Sequence, residues 1–149
     1  MSIQFRHIAR AVVVSDGQIL IARMKGAHSF LPGGGVEHGE GAVTALKREL
    51  REELGVTAVE VVRFLGVVEF GLEHKQYHEI NHVFEVRCEE LRGGTNPKSQ
   101  ESHLEFYWTQ PTAEKLKEHD VLPYLVQEMI PEALREGRPL WVSNMSGEG

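Results

Sequence analysis

The spacing of apolar positions changes several times along the chain, and each change predicts an element. Ala9–Val14 is a β-rich run, Ser15-Asp16-Gly17 is a turn, and Ile19–Ala22 resumes the run, so the segment reads as a hairpin. Phe30 and Leu31 predict a short strand ending at Pro32 in a tight loop of Gly33, Gly34 and Gly35. From Ala42 to Leu54 the period becomes helical, with Leu46, Leu50 and Leu54 recurring every fourth residue and Gly55 as the stop. No Ser, Thr, Asp or Asn stands at its start, and Glu40 helps there only through the helix dipole. Val59–Phe70 and Ile80–Val86 predict longer strands, separated by a polar segment from Gly71 to Glu79. Arg92–Ser102 is a loop and Phe106–Trp108 a short strand. Thr112–Glu118 reads as a short helix and Leu122–Glu136 as a longer one that Pro131 kinks or divides. Leu140–Val142 is a final strand, either completing the sheet or pairing across a homodimer, and Ser146–Gly149 is expected to be a mobile tail. Strands alternating with a few helices predict an α/β fold, a mixed sheet covered by helices.

Composition narrows the classes of function. A chain of 149 residues with 41% hydrophobic and 26% charged positions fits one globular domain, expected to span residues 1–149. Its net charge of -6 speaks against a nucleic-acid partner, which calls for a concentrated basic surface. A small phosphorylated substrate is compatible with that charge, because a bound cation inverts the local field. The single cysteine, Cys88, permits no intrachain disulfide and reads as a small apolar strand residue. Arg6 and Arg10 precede an apolar run that Ser15 and Asp16 interrupt, a pattern of neither a secretory signal nor a membrane span. A cytoplasmic location is the expectation.

Chemistry concentrates between Gly33 and Val56, GGGVEHGEGAVTALKRELREELGV. On the predicted helix Glu49, Glu52 and Glu53 share an arc of roughly 100° beside the leucine stripe. One flank can pack on the sheet while the next concentrates negative charge at a cleft. Such an arc needs a counter-charge. Arg48 supplies one by charge-assisted hydrogen bonds, and a hard divalent cation supplies more. Oxygen ligands without cysteine favour Mg²⁺ or Mn²⁺ over Zn²⁺. A bare R-E-x-x-E-E segment would by itself read as a solvated helix face.

The wider spacing resembles the box of the Nudix family at every defining position: Gly34, five residues, Glu40, seven residues, Arg48-Glu49-Leu50, one residue, Glu52-Glu53, one residue, Gly55-Val56. The hairpin before it, the Phe-Leu-Pro-Gly-Gly entry and the later strands and helix extend the resemblance over about residues 6 to 136. It implies an α/β/α sandwich with a mixed sheet and hydrolysis of a nucleoside diphosphate derivative with Mg²⁺ or Mn²⁺. By motif position Glu49, Glu52, Glu53 and the Gly34 carbonyl resemble metal ligands, and Arg48 the residue that orients the glutamates. Glu40 resembles a support tying loop to helix. Glu52 is the first candidate for general base and Glu49 the second. Glu101 resembles a late acidic position that serves as ligand or base in some members.

For substrate contacts the sequence offers Arg23, Phe30, Tyr77, His78 and Asn81. His74, His78 and His82 recur every fourth residue, but the surrounding segment reads as strand, which points to cleft or surface histidines rather than a metal cluster. The downstream proline associated with ADP-ribose hydrolases is missing between Gly55 and Ile80, the tyrosine spacing of dinucleoside polyphosphate hydrolases is not met by Tyr77, and no coenzyme A signature precedes the box. What remains is a nucleoside triphosphate in the manner of MutT-like members, with nucleotide sugars, ADP-ribose and dinucleoside polyphosphates as alternatives. A non-catalytic nucleotide sensor fits less well, because the box is complete and no basic recognition helix is visible. Prenyl diphosphate isomerisation would need a catalytic cysteine, for which Cys88 makes a weak case.

Overall fold

The computed structural model describes residues 2–145, so the tail Ser146–Gly149 lies outside the described residues. Among the described residues, nine strands form one mixed sheet. In chain order they are β1 (Gln4–Ser15), β2 (Gln18–Met24), β3 (Ser29–Phe30), β4 (Gly33–Gly35), β5 (Val59–Leu72), β6 (Tyr77–Cys88), β7 (Leu104–Thr109), β8 (Val121–Leu122) and β9 (Leu140–Ser143). The path across the sheet is β8-β3-β2-β1-β6-β5-β9, with β4 paired to β1 and β7 to β2. The β1–β6, β5–β9 and β3–β8 pairs are parallel and the others antiparallel.

Side-chain alternation sorts the core into two layers. Ala9, Ala11 and Val13 of β1 point to one face, where they meet Leu46, Leu50 and Leu54 of α1 (Ala42–Leu54) and Phe84 and Val86 of β6. Val12 points to the other, with Leu65, Val68 and Val83, and is covered by Leu116 of α2 (Ala113–Glu118) and Met129, Ile130 and Ala133 of α3 (Val126–Glu136). Helices on both faces of a mixed sheet make the expected α/β/α sandwich. Every apolar residue of the leucine stripe is buried. At about 25 cal/mol per Å² of apolar surface, that stripe supplies much of what holds α1, and with it the carboxylates, against the sheet.

Several boundaries differ from expectation. Gly33–Gly35 form strand β4 rather than a tight loop, because their backbone pairs with Arg10, Ala9 and Ile8 of β1. Gly33 adopts φ 134°, and a Cβ there would collide with the Ala9 carbonyl. Strands β1, β5 and β6 run further than their apolar runs: the ladder β1–β6 extends from Gln4↔Tyr77 to Val13↔Val86. The polar segment after Phe70 is mostly strand, reduced to a 3-10 turn at Glu73–Lys75. These extensions carry polar side chains because one of their faces lines a cleft instead of a core.

The last helix begins at Val126, not Leu122. Val121 and Leu122 pair with Ser29 and Phe30 as β8, and a cis Leu122–Pro123 bond follows. Pro131 does not divide the helix; the run Val126–Glu136 is continuous. Its buried face, Val126, Met129, Ile130 and Ala133, spans the proline, so packing holds both turns together despite the lost backbone donor. Helix α1 starts at Gly41 with no side-chain cap, as expected, and ends at Gly55 with φ 71°, whose N–H bonds the Arg51 carbonyl. Leu140–Ser143 completes the sheet beside β5, leaving Trp141 exposed. No helix among the described residues is long and apolar enough to cross a membrane.

Candidate active site

The box residues converge where β4 passes under α1. Gly34 carries no side chain, and the Glu49 carboxylate occupies the space a Cβ would fill, 2.5 Å from its position. One residue earlier, the Gly33 N–H donates to Glu53 Oε1 at 3.3 Å. A larger residue at 34 would push Glu49 away, which explains glycine there without any strained φ.

Arg48 is the hub. Its Nε donates to Glu40 Oε2 at 2.8 Å and its Nη2 to Glu40 Oε1 at 3.0 Å, a two-pronged pair. Nη1 donates to Glu49 Oε1 at 3.0 Å and reaches Glu52 at 3.3 and 3.4 Å, while Nη2 also donates to the Gly35 carbonyl at 3.0 Å. One guanidinium thus ties the loop, β4 and two helix carboxylates. Glu40 accepts from the Glu37 N–H as well. The hydrogen bonds from Arg48 pull the Glu40 carboxyl down to about 2, and the same contacts raise the Arg48 guanidinium above its usual value. Glu40 is therefore the tether of the loop, a larger role than a charge near the helix dipole.

Glu53 stands apart from that clasp. It is 5% exposed, and burial pushes its carboxyl up to about 8, opposed by the Gly33 N–H and reinforced by the neighbouring charges of Glu49 and Glu101. A buried carboxylate with two like-charged neighbours demands a proton or a cation. Glu101 comes close because the Gln100 N–H bonds the Glu53 carbonyl at 2.7 Å and fixes the loop to the end of α1. Its own carboxylate is 3.3 Å from His103 Nε2. Glu52 is the outermost, with half of its side chain exposed.

The donor set suits a hard divalent ion: oxygens only, with a desolvated carboxylate at the centre. Among the described residues no three such side chains close on one point, because Arg48 holds Glu49 and Glu52 to itself. Gathering the third carboxylate requires the exposed Glu52 side chain to leave Arg48.

Gly33 and Gly34 also line a cleft of about 470 Å³. Phe30 and Tyr77, proposed from sequence as substrate contacts, both line it. Asn81 points to the same face but is fully buried, donating to Glu79 Oε2 at 2.7 Å. His78 projects from the other face of β6, edge-on to Phe5 with ring centres 5.1 Å apart, as strand alternation demands of a neighbour of Tyr77. Arg23 lies outside the cleft, its Nε 3.4 Å from the Ala27 carbonyl and its guanidinium over the Tyr107 ring. His82 pairs with His7 at 2.9 Å, and His74 sits in the turn, so the three histidines share no centre.

Arg6, Arg10, Phe70, Glu79 and Tyr124 line the cleft and were not singled out from sequence. A signal existed: Arg6-x-Ile8-x-Arg10 and Tyr77-x-Glu79-x-Asn81 alternate with period two, placing each set on one face. The apolar run of β1, which begins only at Ala9, conceals it.

The model of the NUDIX domain family matches residues 5–128. The chain belongs to the Nudix family. This Nudix chain is 43% identical over 60 residues to an RNA pyrophosphohydrolase of Haemophilus ducreyi, a match covering 40% of this chain and 30% of that protein. The chain spans about a third of the length of the curated relatives it matches. Among solved structures, a Nudix hydrolase from Nitrosomonas europaea superposes with a TM-score of 0.71 at 18% identity, covering 91% of this chain and 92% of that one. A MutT protein from Methanosarcina mazei Go1 gives 0.69 at 23% identity, covering 93% and 99%. These two likenesses show the Nudix fold, and the resemblance read from the box is upheld.

Proposed function

We propose that this Nudix chain hydrolyses a diphosphate linkage in a small nucleotide, most simply a nucleoside triphosphate, with Mg²⁺ or Mn²⁺. The observation that carries the reading is the Arg48 clasp beside a buried Glu53 whose hydrogen-bond donor, Gly33, lines an aromatic cleft. Glu49, Glu52, Glu53 and the Gly34 carbonyl would hold the cation, with Glu101 at the rim. When bound, such an ion supplies Lewis acidity and lowers the pKa of attacking water. Arg48 keeps Glu49 oriented, and Glu52 swings away from Arg48 to reach the cation. Glu52, the most exposed of the three carboxylates, serves as proton acceptor. Phe30 supplies a face for a base, and its other neighbour, Arg10, brings positive charge to the same wall at 5.4 Å.

A substrate panel with purified protein and Mg²⁺ or Mn²⁺ tests this. It should contain the common nucleoside triphosphates, ADP-ribose, a nucleotide sugar, a dinucleoside tetraphosphate and a 5′-triphosphorylated oligonucleotide. Resolving products as monophosphate, phosphate or pyrophosphate identifies the bond broken. Metal-dependent cleavage of a nucleoside triphosphate to the monophosphate is expected, with the oligonucleotide poor because the chain carries net charge -6. No cleavage of any member would favour the nucleotide sensor.

A further inference from the structure

We propose that His7 and His82 form a binding site for a divalent transition-metal ion of tetragonal geometry, Cu²⁺ above all, separate from the carboxylates of the box. Spacing along the sequence groups His82 with His74 and His78, but the fold groups it with a histidine 75 residues away. In the parallel β1–β6 ladder His7 stands opposite Ile80 and Ala9 opposite His82, so the two imidazoles meet diagonally on one face of the sheet. His7 Nε2 lies 2.9 Å from His82 Nδ1, with ring centres 4.8 Å apart and planes inclined by 60°. Helix α1 covers Ala9, Ala11 and Val13 further along the same face. The pair remains half-buried beside the Phe64 ring, itself 37% exposed.

A plain structural role would give each ring a carboxylate to hold. Among the described residues, however, no ion pair within 4.0 Å involves His7 or His82. Each imidazole instead faces a second basic nitrogen. Only one proton fits between the two, so one of them always presents a lone pair to the gap. Burial, and after it the neighbouring His7, lowers the His82 imidazole from its usual value. That ring is thus kept neutral, the form that binds metals. Two neutral imidazoles that converge without an acidic partner are a chelating pair.

The separation selects the metal. At metal–nitrogen bonds of about 2.0–2.1 Å, nitrogens 2.9 Å apart subtend roughly 90° at a shared ion, the angle between neighbouring positions of a tetragonal complex. A tetrahedral Zn²⁺ site would spread them to about 3.3 Å. The ion sits off the line joining the nitrogens, so each ring turns slightly to aim its lone pair. The displaced proton is taken up by the other nitrogen of its own ring, and none is released. Hard Mg²⁺ prefers oxygen and is not drawn to the pair. Among the described residues no third His, Cys, Asp or Glu closes on it, which leaves the remaining positions to water. The His7 carbonyl accepts from the Val36 N–H at 2.8 Å, so a bound ion would clamp β1 to β6 next to the segment that follows β4.

Titration of the untagged protein with Cu²⁺, in excess Mg²⁺ to occupy oxygen sites, tests the pair without requiring turnover. Pulsed electron paramagnetic resonance is the readout, because the remote nitrogen of a bound imidazole modulates the echo and a carboxylate does not. One Cu²⁺ per chain held by two imidazoles is expected, with an affinity about tenfold or more above that for Zn²⁺. His7→Asn and His82→Asn should each leave one imidazole on the ion and weaken Cu²⁺ binding by about tenfold or more. His74→Asn, in the 3-10 turn, should change neither number. Circular dichroism checks that the variants are folded, and should His82→Asn unfold, His7→Asn decides alone. No Cu²⁺ bound at micromolar concentration, Cu²⁺ bound without imidazole, tighter binding of Zn²⁺, or a histidine-bound Cu²⁺ that the folded variants leave unaltered would each overturn the proposal.

Discussion

Replacing Glu53 by glutamine is expected to lower metal-dependent kcat by about 10²–10³-fold or more while leaving the fold intact. Glutamine keeps the shape and the acceptor for the Gly33 N–H but cannot offer a charged oxygen to a cation. The same substitution has a second signature in the metal-free protein. The Glu53 carboxyl is raised from 4.5 to about 8, chiefly by desolvation, so the folded state holds a proton that the unfolded chain releases near 4.5. The stability this protonated group allows is fully present below 4.5 and is lost as pH rises toward about 8. Without metal, the wild type should therefore lose up to ~1.4 kcal/mol per pH unit inside that window from this group. Glu53→Gln has nothing to titrate and should show a flatter profile, becoming the more stable of the two by pH 8. Chemical denaturation in EDTA across pH 5 to 9, beside turnover at saturating Mg²⁺, checks both. Near-normal turnover would remove Glu53 from the site.

Arg48→Ala should be damaging in a different way. It removes the two-pronged bond to Glu40, the bonds to Glu49 and Glu52, and the hold on the Gly35 carbonyl. Glu40 and Glu49 then face each other without a counter-charge, while the loop before α1 loses its tether. A destabilisation of about 1–3 kcal/mol is expected, between the value of a surface pair and that of a broken buried one. A fall in kcat of about 10²-fold should accompany it, because carboxylate orientation is lost. Arg48→Lys should recover part of the stability and little of the rate, since an ammonium cannot grip Glu40 with two prongs while reaching Glu49. Equal recovery of both would reduce Arg48 to a generic positive charge. Thermal unfolding and initial rates on the same preparations separate the cases.

The box was legible because its chemistry is local. Helical spacing places Glu49, Glu52 and Glu53 together, and the leucine stripe states which side of α1 is buried, so the hub needed little tertiary information. Burial depth was a different matter. Spacing alone puts the three glutamates on equal terms, whereas the sheet buries Glu53 and leaves Glu52 half exposed. The cleft was harder to read, because its floor comes from β1, β5 and β6, which meet only through long-range pairing. Tyr77 was found and Glu79 passed over, although the two share a face, since a polar stretch with one face toward a cleft lacks the apolar rhythm that announces a strand. His78 shows the converse: proximity in sequence to Tyr77 placed it on the opposite face. The glycines of β4 were visible as a cluster, but their pairing with β1 depends on a partner strand more than twenty residues away.

Diffraction from a crystal soaked in Mn²⁺ with a non-hydrolysable nucleotide analogue, read by anomalous scattering, tests the central claim most directly. The account predicts a manganese peak bonded to carboxylate oxygens of Glu49 and Glu53, with the phosphate chain lying along Gly33 and Gly34. A peak elsewhere on the molecule, with those carboxylates untouched and the phosphates away from β4, would contradict it.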